Sequence, residues 1–159
     1  MKFITLLLFI VLINILSACK KSTKTPVTNI SGEWFQQRQR EGNLVNLETF
    51  NFKSDQSVDI TWSVVDTIAN QTKGYVRRQT GAYSYKGDSV ILENMKSYSV
   101  GSYTYKKLEE LEYINTEKRF AYKIAFNKNK DLLTLEFSCP PYADCIPHPK
   151  LKRVKKLLL

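Results

Sequence analysis

Apolar and polar residues alternate along several stretches of this chain, and this period of two constrains the fold more than any other feature. The alternation is clearest from Val58 to Val64, and it returns from Phe120 to Phe126 and from Leu133 to Phe137. Successive side chains of a β-strand point to opposite faces of a sheet, so each stretch predicts a half-buried strand. Shorter examples occur at Phe50–Phe52 and Gly81–Tyr85, and no long helical periodicity follows residue 18.

Turn-forming residues separate these stretches. Lys53–Gln56 precedes the Val58 stretch, Gly87 and Asp88 suit a tight hairpin turn, and Asn127–Asp131 tolerates unusual backbone angles. The chain therefore predicts about eight strands and a closing ninth at Lys150–Lys156. The eight centre on Gly32, Leu47, Val58, Tyr75, Val90, Tyr105, Tyr122 and Leu133.

One segment, Lys106–Ile114, fits two structures. It forms either two helical turns, with Leu108 and Leu111 on one face, or a strand that turns at residues 115–118 and pairs with Arg119–Phe126. The neighbouring segments are strands, so the hairpin is the favoured prediction. A single antiparallel meander with short connections removes its free edges by closing, which predicts an all-β, up-and-down antiparallel barrel of about eight strands. Such an interior either fills with side chains or holds one small ligand.

The first eighteen residues predict a signal peptide. Lys2 precedes the apolar run Phe3–Leu16, which is too short to span a hydrocarbon core of about 30 Å as a helix. The quartet Leu16–Cys19 resembles the lipobox of bacterial lipoproteins, which implies cleavage before Cys19 and acylation of that residue with palmitate-type chains. We expect a signal at 1–18, a lipidated tether at 19–29 and a barrel domain at 30–159. Lys20, in place of Asp, resembles the sorting pattern that sends lipoproteins to the outer membrane, and we expect its periplasmic face.

The chain is basic, with 24 Lys and Arg against 15 Asp and Glu and a formal charge of +9. Basic residues are concentrated only at Lys150–Lys156. The other charged residues are scattered along the chain and are also consistent with an ordinary solvated surface. A basic surface beside a membrane attracts anionic headgroups or polyanionic glycans. An exported chain rarely meets nucleic acid, so we expect no such partner.

The other two cysteines, Cys139 and Cys145, lie six positions apart around Pro140 and Pro141. Export to an oxidising compartment predicts that they form a disulfide. A metal site would need more ligands, and His148 is the only histidine. His148 lies between two prolines, and the sequence indicates no geometry for a catalytic triad around it. Met95 is too far from His148 along the chain for the two to be favoured as haem ligands. We therefore expect no enzyme, no metal and no cofactor.

Several short motifs occur in an order that resembles the lipocalin-like lipoproteins of Gram-negative bacteria. These are a Gly-x-Trp first strand, a phenylalanine-rich second strand that ends in an acidic turn, and a Gly-x-Tyr strand that leads to a tight turn. They lie at Ile30–Trp34, Phe50–Asp55 and Gly81–Asp88, with Tyr122–Ile124 and Leu133–Leu135 after them. The resemblance implies a small barrel in which Gly32 permits a close approach and Trp34 plugs one end. It does not imply a particular ligand.

Five aromatic residues are candidates for a ligand site or for barrel packing: Trp34, Trp62, Tyr98, Tyr103 and Tyr105. The tryptophans either line a cavity or fill the core, and the tyrosines either form the mouth of a pocket or simply suit strands. Two functions follow. The first is a membrane-anchored module that binds a small amphipathic ligand in the cell envelope, and the alternative is a filled barrel that acts through its outer surface.

Overall fold

The computed structural model describes residues 29–101, 104–137 and 149–154, without the side chains at 117 and 118, and these residues form one antiparallel sheet closed into a barrel. Neighbours in the ring are neighbours in sequence, and the last strand pairs back onto the first. The predicted barrel of about eight strands is therefore confirmed. The strands are β1 Gly32–Gln39, β2 Leu44–Phe52, β3 Ser57–Asp66, β4 Gln71–Lys86, β5 Ser89–Ser99, β6 Glu112–Phe126, β7 Leu132–Phe137 and β8 Lys150–Arg153.

The alternating pattern determines which face of each strand lies inside. Phe50 of β2 pairs directly with Trp34 of β1 on one side and with Ile60 of β3 on the other. All three side chains are buried. Directly opposed residues of a sheet share a face, so this row marks the interior, and the residues between them face outward.

The turns predicted from the sequence are confirmed. Lys53–Gln56 connects β2 to β3, and the pair Gly87–Asp88 connects β4 to β5. Gly87 has a φ of +63°, which glycine adopts without the steric cost that a Cβ atom brings. Between β6 and β7, the Oδ1 atom of Asn127 accepts hydrogen bonds from the backbone N–H groups of Asp131 and Leu132, at 3.1 and 3.0 Å.

The hairpin predicted for Lys106–Phe126 is wrong, and so is the strand predicted around Tyr105. β6 runs without a turn from Glu112 to Phe126, because the long strand β5 provides pairing partners along nearly all of it. Between β5 and β6, the described residues contain only an isolated bridge between Lys106 and Tyr75 and a three-residue 3₁₀ helix, Leu108–Glu110. The two predicted helical turns are reduced to that single turn, and the predicted ninth strand is β8.

One irregularity lets the chain pack closely near the middle of the barrel. The register between β4 and β5 shifts between Thr80 and Ala82, and Asn94 on β5 has a φ of +54°. Gly81 then lies against Met95, which is fully buried. A Cβ atom at Gly81 would lie 2.7 Å from the carbonyl oxygen of Glu93, so the approach requires glycine.

Candidate functional site

The barrel has two different ends. The end at which β1 begins is called the plug end, and it contains the turns Lys53–Gln56, Gly87–Asp88 and Asn127–Asp131. We call the open end the opposite one, where β1 ends and where the connections 40–43 and 67–70 lie. Because each strand runs from one end to the other, the position of a residue along its strand places it relative to these two ends.

Trp34 fills the plug end. Its side chain is 1% exposed, and its Nε1–H donates a hydrogen bond of 2.8 Å to the carbonyl oxygen of Ile30. The guanidinium carbon of Arg153 lies 5.2 Å from the centre of the indole ring, and the Phe126 ring lies 5.8 Å away on a tilted plane. A buried indole with a satisfied N–H and a cation on its face is held in one orientation.

The interior next to the plug is apolar and tightly packed. Phe52 stacks near Phe50 at 6.2 Å and meets the edge of the Tyr83 ring at 5.2 Å. The Tyr83 hydroxyl donates to the carbonyl oxygen of Lys53 at 2.7 Å, so its polar tip is satisfied at the barrel end. The rest of the buried cluster is aliphatic or thioether: Ile30, Val58, Ile60, Val90, Leu92, Met95, Ile124, Leu133, Leu135 and Leu151.

Above this apolar half, the inward-facing residues become polar. Gln36 pairs with Glu48, Glu48 with Trp62, Trp62 with Arg77, and Arg77 with Ser99, across five consecutive strands. We call these five residues the polar belt. Each lies two positions toward the open end from a residue of the buried row that contains Trp34 and Phe50, so all five face the lumen.

Glu48 is the acidic member of the polar belt. The amide Nε2–H of Gln36 donates a hydrogen bond to its Oε2 atom. Burial raises the pKa of the Glu48 carboxyl above its ordinary value, while the hydrogen bond from Gln36 and the charges of Arg38 and Arg77 act in the opposite direction. Burial is the largest of these causes, so Glu48 retains its proton to a higher pH than an exposed glutamate does.

Trp62, next to Glu48, and Arg77 continue the polar belt on β3 and β4. The guanidinium carbon lies 5.3 Å from the centre of the indole ring, within the range of a cation–π contact. Directly below them, the amide nitrogen of Gln79 donates to the hydroxyl of Ser97 at 2.8 Å, and both residues are buried. The lumen therefore offers an aromatic surface, a guanidinium, a carboxyl and two amides within two layers.

The structure separates the aromatic residues that the sequence singled out. Trp62 faces the lumen, but Tyr98 faces outward, where its ring meets that of Tyr113 edge-on at 5.8 Å. Tyr105 precedes the bridge at the open end, and its ring lies against the backbone of Gly74. Four predicted site residues lie outside the described residues: Cys19, Tyr103, Cys139 and Cys145.

The sequence interpretation did not single out the polar residues of the belt. For Glu48 a signal existed, because it lies two and four positions from the inward-facing Phe50 and Phe52. For Arg77 the same signal existed, because it lies four and six positions from Gly81 and Tyr83, and the pairing with β3 is continuous from Gly81 to Arg77. The register shifts between β3 and β4 come only on the other side of Arg77, toward Gly74.

A concavity lies on the outer surface at the plug end. It has a volume of about 420 Å³ and is lined by Phe35, Asp131, Leu132, Lys152, Arg153 and Val154. Phe35 pairs with Lys152 where β1 meets β8, so the concavity follows the junction that closes the barrel. We call it the outer groove.

In the described part of the chain, no helix has the length and apolar character needed to cross a membrane. Within the same residues, no group of three or more His, Cys, Asp or Glu side chains is arranged to hold a metal ion. Comparison with protein-family models, with curated proteins and with solved structures finds no match to this chain.

Proposed function

We propose that this protein is a lipid-anchored, lipocalin-like binding protein of the cell envelope, and that a small amphipathic ligand occupies the upper half of its barrel. The polar belt is the observation that carries the proposal. Burying a charged or polar group costs several kcal/mol unless hydrogen bonds or an opposite charge compensate for the lost hydration. Apolar side chains fill the interior of a barrel without this cost. A lumen that retains Glu48 and Arg77 above a complete apolar core is better suited to recognising a ligand than to stabilising the fold.

The arrangement also favours one pose for the ligand. Trp34 and the apolar cluster occupy the half next to the plug, so the ligand contacts the polar belt from the open end. Its polar group would meet Arg77, Glu48 and Gln36, while its apolar part would lie against Trp62. A guanidinium at the end of an aromatic surface favours an anionic head group.

The anchor rests on the lipobox-like quartet that ends at Cys19, and the envelope location rests on that quartet and on the residue after it. Acyl chains on Cys19 would hold the barrel on the periplasmic face of the outer membrane. Replacing the thiol, Cys19→Ser, is expected to leave a folded barrel that no longer sediments with membranes. Retention of this variant in the membrane fraction would contradict the anchor.

The ligand proposal is tested with an amphipathic anion whose fluorescence rises in apolar surroundings, 8-anilinonaphthalene-1-sulfonate. We expect saturable binding by the native protein and a loss of affinity of about tenfold in Arg77→Gln, since a charge-assisted contact contributes about 1.5–3 kcal/mol. The matched control is Arg78→Gln. Its guanidinium points outward and pairs with Asp59 at 2.6 Å, so its loss should leave the affinity unchanged.

Equal losses in the two arginine variants, or no saturable binding by the native protein, would contradict a ligand site at the polar belt. Native mass spectrometry of detergent-extracted protein provides an independent measurement. A co-purifying small molecule that is retained in Arg78→Gln and lost in Arg77→Gln would identify the ligand together with its site.

The outer groove favours a second candidate function, a filled barrel that acts through its outer surface. Phe35, Leu132 and Val154 give this concavity an apolar floor, and Lys152 and Arg153 give it a basic rim. Such a surface suits an acidic partner or a glycan. If this reading is correct, Lys152→Glu impairs the function of the protein in the envelope and Arg77→Gln does not.

A further inference from the structure

Both ends of the described barrel lie at the plug end. The carbonyl oxygen of Ile30, just before β1, accepts the hydrogen bond from the plugging Trp34. At the other terminus, the N–H of Val154 donates to the carbonyl oxygen of Glu33, the second residue of β1. Ile30 and Val154, which flank the first and the last strand, therefore both lie at the plug end.

The two ends of the barrel also differ in charge. When each connection is taken with the two residues on either side of it, the plug end has six basic residues against four acidic ones. The basic residues are Lys53, Lys86, Lys128, Lys130, Lys152 and Arg153. By the same count, the described residues of the open end have five basic residues (Arg38, Arg40, Lys106, Lys107 and Lys150) against six acidic ones (Glu41, Asp66, Glu109, Glu110, Glu112 and Glu136). Three of the acidic residues lie at the 3₁₀ helix and the start of β6.

Three of the four acidic residues at the plug end are held by local partners. Asp55 accepts hydrogen bonds from the N–H and the hydroxyl of Ser57, at 2.9 and 2.7 Å. Asp88 pairs with Lys123 at 3.8 Å, and Asp131 accepts from the side-chain amide of Asn127 at 2.6 Å. These carboxylates stabilise the turns in which they lie and keep their charges, so the outward field of the plug end comes from the excess of six basic over four acidic residues.

We propose that the plug end docks on an anionic lipid surface and that the open end, with the polar belt, points away from it. This inference rests on the proposed anchor at Cys19. Asn29 lies ten positions after Cys19. A fully extended tether of this length reaches at most about 35 Å and keeps the plug end near the bilayer. In the sequence, two lysines and three leucines follow Val154.

The strength of the attraction between the plug-end lysines and an anionic bilayer can be estimated. A basic residue near an anionic leaflet strengthens association by about fivefold, and the effect decays within about one Debye length. Reversing two turn lysines, Lys128→Glu with Lys130→Glu, would therefore remove most of the preference for the plug-down orientation. Lys107→Glu is the matched control, since Lys107 is an exposed lysine in the connection at the open end.

The test measures which end of the tethered protein lies near lipid. The lipidated full chain, extracted from bacterial membranes, is reconstituted into vesicles of phosphatidylcholine with or without phosphatidylglycerol, together with a lipid that carries a nitroxide on its headgroup. A fluorophore is attached at Ser54→Cys, an exposed turn of the plug end, or at Ala69→Cys, an exposed turn of the open end. The chain without a new cysteine gives the labelling background.

We expect the Ser54 label to be quenched several-fold more than the Ala69 label in vesicles that contain phosphatidylglycerol. The difference should shrink without the anionic lipid and in the double lysine variant, and it should persist in Lys107→Glu. Equal quenching of the two labels on vesicle-bound protein would overturn the orientation and leave the anchor intact. Failure of the lipidated chain to float with vesicles would instead contradict the anchor, and the orientation with it.

Discussion

Replacing Trp34 with phenylalanine tests whether the plug stabilises the barrel as the structure indicates. The variant keeps an aromatic ring against Phe126 and beneath Arg153 but loses the Nε1–H that bonds to the carbonyl oxygen of Ile30. A buried acceptor left without its donor costs about 1–3 kcal/mol. The smaller ring also leaves a cavity of roughly 40 Å³, which at about 24 cal/mol per Å³ adds about 1 kcal/mol. The expected loss in the free energy of unfolding is about 2–4 kcal/mol.

The other tryptophan provides the matched control, because the chain contains only two. Trp62 lies at the polar belt, is partly exposed, and makes a cation–π contact with Arg77 that a phenyl ring can also make. Trp62→Phe should therefore cost about 1 kcal/mol or less, since little buried surface or hydrogen bonding is lost. Urea unfolding followed by far-ultraviolet circular dichroism measures both variants without relying on tryptophan fluorescence. Equal losses in the two variants would refute the distinction between a buried plug and a partly exposed lining residue.

Three further predictions concern stability and covalent structure. Gly81→Ala should lower the free energy of unfolding by about 1–3 kcal/mol, because its Cβ atom would meet a backbone carbonyl oxygen and the side chain of Met95; urea unfolding of native stability would contradict this packing. Burial raises the pKa of Glu48, so the folded state holds its proton to a higher pH than the unfolded chain does, and this contribution to stability is lost as the pH rises above about 4.5. Glu48→Gln should therefore gain stability relative to the native protein as the pH is raised from 4 to 7, whereas a constant difference across this range would argue against burial of the carboxyl. Thiol trapping of oxidised native protein should find Cys139 and Cys145 unreactive until a reductant is added, and free labelling would exclude the disulfide.

The fold was largely predictable from the sequence because its signals are local. β3, β6 and β7 alternate strongly, and the connections at Gly87–Asp88 and Asn127–Asp131 have turn residues of a recognisable kind. The failure at Lys106–Phe126 has a tertiary cause. Residues 115–118 look like a turn in isolation, but they extend the pairing with β5, and the sequence around them contains no indication of that partner.

The candidate site was less predictable because it depends on register. The polar belt brings together one residue from each of five strands, and its order is set by which residues of neighbouring strands lie opposite each other. Trp62 was recognised by its residue type. Arg77 has the parity of Gly81 and Tyr83, but a charged side chain at an inward-facing position breaks the apolar alternation from which the inner face of a strand is recognised.

The circular sheet is closed by its shortest strand. β8 has four residues, two of which pair with β1 and three with β7, and flanking bonds such as that from Val154 to Glu33 extend the junction slightly. A break between β1 and β8 separates fewer paired residues than one between any other two neighbouring strands that the structure describes. Such a break converts the ring into a curled ribbon with two bare edges. Each edge then matches the complementary edge of a second copy, and a dimer in which β8 of each chain pairs with β1 of the other is the one that this construction makes easiest to reach.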